Sequence, residues 1–76
     1  MSQLGNISAS MTMKFLEGKG FWKSRQKGSH VFFRHSDGRT ATVPDHKGED
    51  LGKGMVSKIL RDMEVDKEEL LEWLGR

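Results

Sequence analysis

The tetrad Lys27-Gly28-Ser29-His30 stands between two strand-like runs. A turn over Gly28 and Ser29 places one imidazole at the head of the second run, with basic residues on either side. Histidine gains or loses a proton near neutrality because its ordinary pKa is about 6.5. His30 is therefore a candidate acid or base. Against RNA, a neutral imidazole can take the proton of a 2′-hydroxyl so that the oxygen attacks the adjacent phosphate. General-base catalysis accelerates such a step about 10²- to 10⁴-fold. Lys27, Arg25 or Arg34 can hold the phosphate and stabilise the charge that develops on it. His46 or water is left to protonate the leaving oxygen. His35 is the weaker candidate, since strand alternation turns it away from His30. The plain alternative for His30 is a strand histidine satisfied by a neighbouring carbonyl.

Other chemistries lack their residues. None of the nine glycines has the spacing of a P-loop or a dinucleotide-binding turn, so nucleotide hydrolysis is not indicated. His30, His35 and His46 have neither a His-x-x-x-His helical spacing nor a carboxylate at ligand distance in sequence, and no metal or other cofactor is expected. The absence of cysteine excludes disulfides and thiolate metal sites and fits a reducing compartment. No stretch is apolar enough to span a bilayer, and the first residues lack the pattern of a secretion signal. A soluble cytoplasmic protein with no membrane partner is the expectation.

Charge is unevenly spread along the 76 residues. Residues 1–47 carry eight basic and three acidic side chains, a balance of +5, whereas residues 48–76 carry five and eight, a balance of −3. Clustered positive charge favours phosphate backbones, and the acidic tail opposes them. The alternative is that these are ordinary solvated surface charges. A chain this short forms one domain and buries roughly 60% of the surface its unfolded form exposes, which leaves little room for an enclosed cavity.

The elements that must position these residues follow from periodicity. Residues 1–7 show no period and read as a flexible lead-in, with a single domain over residues 8–76. Ser8 caps a helix running to about Lys19, with Met13 and Leu16 on one face and Thr12 beside them. Met11 and Met13 read as core filler. Strands are predicted at residues 21–26, 31–35 and 39–43. Lys27-Gly28-Ser29 forms the first turn, and Asp37-Gly38 signals a type I′ hairpin. Period two sets Val31 and Phe33 on one face of the second strand and His30, Phe32 and Arg34 on the other. One sheet face is then covered by helices and the other open. Phe32 can stack on a base or be covered by a partner, and Trp22 on the first strand is open in the same way.

Pro44 ends the third strand, and residues 45–50 form a charged loop. Val56, Ile59, Leu60 and Met63 form a buried helical stripe from about Lys53. Asp66 and Glu69 form a capping-box pattern, with Val65 and Leu70 as its hydrophobic staple, before a short helix at about residues 67–74. Leu70, Leu71, Trp73 and Leu74 on that helix can close the core or face a partner.

The residues then line up in order. They are Gly20-Phe21, Gln26-Lys27-Gly28-Ser29-His30, Arg34-His35 to Gly38-Arg39, Val43-Pro44, His46-Lys47-Gly48, Gly52-Lys53-Gly54 and Ile59-Leu60-Arg61. From about Ser8 to Leu71 this series resembles the HicA family of small ribonuclease toxins. The resemblance implies an α+β, α-β-β-β-α double-stranded-RNA-binding-like fold: a three-stranded antiparallel sheet with helices on one face, here with an extra C-terminal helix. It implies endoribonucleolytic cleavage of mRNA by a toxin of a type II toxin-antitoxin system, with the histidine that maps to His30 as the catalytic residue. It also implies a HicB-type antitoxin that covers the active surface. Substrate-binding residues are assigned only from charge and strand position: Arg25, Lys27, Gly28, Ser29, Phe32, Arg34 and His46. The rival readings are a non-catalytic RNA-binding module on the same fold and a protein-binding sheet with no RNA role.

Overall fold

The computed structural model describes residues 4–76. Its elements are β1 (Ile7–Ser8), α1 (Ala9–Gly18), β2 (Trp22–Lys27), β3 (His30–Arg34), β4 (Thr40–Pro44), β5 (Asp50–Leu51), α2 (Lys53–Met63) and α3 (Lys67–Leu74). Strands β2, β3 and β4 form an antiparallel meander, and β1 pairs separately with β5. This is the α+β architecture expected, with α-β-β-β-α as its main sequence of elements.

Local chemistry sets the boundaries. Ser8 caps α1: its Oγ accepts from the Met11 N–H at 3.1 Å, and its carbonyl accepts from the Thr12 hydroxyl at 3.0 Å. The Thr12 hydroxyl can therefore sit in the core without an unmet hydrogen bond. The buried stripe of α1 is Ala9, Thr12, Phe15 and Leu16. Met13, expected on that stripe, lies beside it and is partly buried, because Phe15 fills the i+3 position from Thr12. Phe21 was expected to open the first strand. Instead it precedes β2 as a buried plug, its N–H donating to the Leu16 carbonyl at 3.0 Å.

The core lies between the helices and the inner face of the sheet. Val31 and Phe33 of β3, with Ala41 and Val43 of β4, meet the α2 stripe of Val56, Ile59, Leu60 and Met63, and all eight are buried. Ile59→Ala at such a site costs about 2–5 kcal/mol. On α3, Leu70 and Leu71 are buried and Leu74 is partly buried, while Trp73 stays 47% exposed with its ring edge-on to Phe15 at 5.5 Å.

Three expectations need correction. The hairpin between β3 and β4 is not a two-residue type I′ turn. His35 N–H donates to the Arg39 carbonyl at 2.9 Å and Gly38 N–H to the His35 carbonyl at 3.0 Å. Of the loop residues, Gly38 alone has positive φ, at 100°. That is a three-residue loop whose turn is closed by a left-handed glycine. Side-chain hydrogen bonds favour it. Asp37 accepts from the Arg39 N–H at 3.0 Å and from Arg39 Nε at 2.8 Å, and its own N–H donates to His35 Nδ1 at 3.1 Å.

The lead-in at residues 1–7 is also shorter than expected. Residues 1–3 lie outside the described residues, but Leu4 (7% exposed) and Ile7 (0%) belong to the core. Ile7 pairs with Leu51, a contact too short in sequence to show a period. Finally, Asp66 precedes α3 as its N-cap without a side-chain capping bond. The Glu69 carboxylate meets both the Asp66 N–H and Lys19, whose Nζ lies 2.5 Å from it.

Candidate functional site

Backbone pairing sets out the open face of the sheet in three rows. Lys27 and Pro44 flank His30; Arg25 and Thr42 flank Phe32; Trp22 and Thr40 flank Arg34. Directly opposed residues of an antiparallel pair share a face, so these nine side chains project together, away from the helices. None of them is acidic. Among the described residues, no ion pair involves Arg25, Lys27 or Arg34.

One irregularity makes this arrangement possible. Arg25 and Lys27 are two apart and share a face, but Trp22 is three residues before Arg25, so strict alternation would turn it to the helix side. The register shifts between Lys23 and Arg25, a β-bulge at Ser24. The Ser24 hydroxyl donates to the Phe32 carbonyl at 3.1 Å there. Trp22 consequently joins the open face, 47% exposed. Strand β2 is exposed along its whole length, so no hydrophobic alternation in the sequence could have revealed the shift.

The turn before His30 is tightly specified. Gly28 has φ +58° and Ser29 does not share a positive φ. Positive φ at the first central position only is the pattern for which a type II′ hairpin takes glycine. Gln26 Nε2 donates to the Gly28 carbonyl at 3.0 Å, and Asp45 N–H donates to the Ser29 carbonyl at 2.6 Å. The second bond pins the start of the loop that carries His46 to this corner of the sheet. His46 itself is exposed in the turn after Asp45.

The three histidines differ in their surroundings. Among the described residues, no hydrogen-bond or ion-pair partner meets the exposed His30 imidazole, so the carbonyl-satisfied alternative does not describe it. His35 is half-buried and engaged through its ring and Nδ1. Its ring lies edge-on to Phe21 at 5.0 Å, and Nδ1 is 3.1 Å from both the Asp37 N–H nitrogen and Asp37 Oδ1. The Arg39 N–H, with smaller help from the Arg39 guanidinium and His35, holds the Asp37 carboxyl below its ordinary value. His35 is thus part of the turn. No cluster of three metal-capable side chains occurs among the described residues.

Arg25 and Phe32 interact directly, the guanidinium lying 4.9 Å from the ring centroid. With Ser24, Arg34, Thr40 and Thr42 they line a shallow depression in the middle of the face. The sites expected at Arg25, Lys27, His30, Phe32 and Arg34 therefore come together on one surface, with Gly28 and Ser29 forming its turn.

Comparison with known proteins bears on this surface. The chain matches the family profile described as HicA toxin of bacterial toxin-antitoxin over residues 12–65, well over half its length. The chain belongs to the HicA family. The match runs from the middle of α1 through the end of α2 and takes in the whole open face, whereas β1 and α3 lie outside it. No curated protein matches the chain. Membership of the HicA family makes this a toxin of a toxin-antitoxin pair and implies an antitoxin partner. No helix among the described residues is long and apolar enough to cross a membrane.

Proposed function

We propose that this HicA protein is an endoribonuclease that cleaves mRNA in the cytoplasm, with His30 as general base and no metal in the reaction. His30 Nε2 or Nδ1 takes the proton of a ribose 2′-hydroxyl, and the oxygen attacks the neighbouring phosphorus. The bond from phosphorus to the 5′-oxygen of the next nucleotide breaks, and that oxygen is protonated by His46 or water. The products are a 2′,3′-cyclic phosphate and a 5′-hydroxyl end. Lys27, directly across from His30, and Arg25 and Arg34 along the face neutralise charge on the phosphate. Gly28 and Ser29 set where the imidazole stands. The observation that carries this reading is an imidazole beside Lys27, without a partner among the described residues, on an acid-free basic face. A HicB-type antitoxin is the partner we assign to the same face.

The deciding experiment compares His30→Ala and His35→Ala on a single-stranded RNA, in excess EDTA, at matched folded concentration. His30→Ala is expected to lose about 10²- to 10⁴-fold in cleavage rate with unchanged stability. His35→Ala is expected to keep its rate per folded molecule and lose about 1 kcal/mol of stability with its edge-on ring contact. A 2′-O-methyl group at the cleaved ribose blocks wild type on this mechanism. RNA binding without cleavage in wild type would instead favour a non-catalytic binding module.

A further inference from the structure

We propose that Trp22 is a base-stacking residue that selects single-stranded RNA and holds it on the sheet at a distance from His30. The inference takes from the ribonuclease reading that RNA lies on the open face. From sequence Trp22 is open to either a base or a protein partner, and the cleavage step itself does not use it.

The indole is at the far end of the face. It pairs with Arg34, four residues along β3 from His30, so it stands about 14 Å from the imidazole row at about 3.4 Å per residue. Phe32 occupies the row between. Each row thus holds a cation, Lys27 in the first, Arg25 in the second and Arg34 in the third, and the second and third each set an aromatic ring, Phe32 or Trp22, beside it. A polyanion whose repeating unit also presents a flat π-face matches both features, and the lack of any carboxylate on the face removes the repulsive element. Stacked neighbouring base pairs cover those π-faces within a duplex, so stacking here requires an unpaired strand.

The bulge is the second support. An exposed indole has a cost in water that strict alternation would have avoided by turning residue 22 to the helix side. The register shift at Ser24 instead aims it outward beside Arg34. Bulges that re-aim a side chain are concentrated beside functional sites. Arg25 is already stacked on Phe32 at 4.9 Å and orders the middle row, while Trp22 is left with an open ring.

The test uses a His30→Ala, Trp73→Phe protein, which leaves Trp22 as its only indole, and a 10-nucleotide adenosine or uridine oligomer, free or hybridised to its complement. Trp22 emission is expected to be quenched by the single strands, with little change on the duplex. Trp22→Ala is expected to weaken single-strand binding about 5- to 150-fold by anisotropy, the range for one stacked base. In the wild-type background, Trp22→Ala should raise KM for the oligomer while leaving cleavage of a dinucleotide, too short to reach residue 22, unchanged.

Unchanged affinity in Trp22→Ala, unmoved emission on binding, or equal response to the duplex overturns the proposal even where RNA is cleaved. Quenching and lost affinity without cleavage by wild type keep it and remove the ribonuclease reading. No binding of RNA at all, with Trp22 mattering only for a protein partner, overturns it as well.

Discussion

At the scale of single residues, the site depends on one backbone conformation. His30 stands where it does because Gly28 turns the chain at φ +58°, a region that L-residues enter at a cost of roughly 1–2 kcal/mol. Among the described residues, no atom beyond its chain neighbours lies within 4 Å of where a Cβ would be, so strain, not collision, decides the effect of a substitution. Gly28→Ala is expected to lower stability by about 1–2 kcal/mol, or roughly 4–8 °C in Tm per kcal/mol for a domain of this size. RNA cleavage per folded molecule should fall as well, while Gly28→Asn, which installs a residue that occurs at the positive-φ positions of primed turns, should lose less of both. Thermal melts and cleavage assays on the two variants check this. An alanine variant as stable and active as wild type would mean that the turn relaxes without moving the histidine. The tetrad was legible in sequence because glycine before a strand has few other uses. Trp22 was legible as a ring open to a base or a partner, but its place beside Arg34 was not, because the Ser24 bulge that re-aims it leaves no mark of composition on a strand with no buried face.

Elements were legible in proportion to the regularity of their apolar pattern. The stripe of α2 and the alternation of β3 and β4 bury in the structure as their periods require. The β1–β5 pair was missed because two residues a side cannot display a period, although Ile7 and Leu51 are both buried there. The Asp37-Gly38 signal gave the right hairpin and the wrong turn, since Asp37 is held by its own side-chain hydrogen bonds to Arg39. Between α1 and α3, the Lys19–Glu69 contact adds to the one half of the expected capping box that forms, Glu69 on the Asp66 N–H. The hydrogen bond from Lys19, aided by its charge and the Asp66 N–H, holds the Glu69 carboxyl below its ordinary 4.5. A carboxyl whose folded pKa is depressed binds fewer protons folded than unfolded. Its contribution is present above 4.5 and is lost as pH falls below it. Asp37 acts in the same direction from its ordinary 3.8. Tm should therefore decline between about pH 5 and pH 3, and Glu69→Gln should lower Tm at neutral pH while making that acid decline shallower. Both groups are exposed, so the effects are small. An unchanged acid slope in Glu69→Gln would show that the contact contributes nothing in solution.

Across the whole molecule, charge divides the protein into a basic and an acidic side. The open face combines three cations and two aromatic rings with no carboxylate, while the acidic residues concentrate from Glu49 onward, in the loop, in α2 and in α3. An RNA strand and an antitoxin therefore compete for the same surface if inhibition is steric. A partner that covers the face has Phe32 and Trp22 as apolar anchors and must bring acidic groups to Lys27, Arg25 or Arg34. Such steering raises the association rate and makes it fall with salt. In hydrogen exchange, the cognate antitoxin should protect the amides of β2 and β3, the two strands that carry the cations and rings, and leave α3 unchanged. Binding of RNA and antitoxin should be mutually exclusive, and Phe32→Ala should weaken the antitoxin complex without unfolding the toxin, because the ring lies outside the core. Protection confined to α3, or a ternary complex that binds RNA at full strength, would place the antitoxin on the acidic side. Control would then have to act through the packing of α1 and α3, where Lys19 meets Glu69.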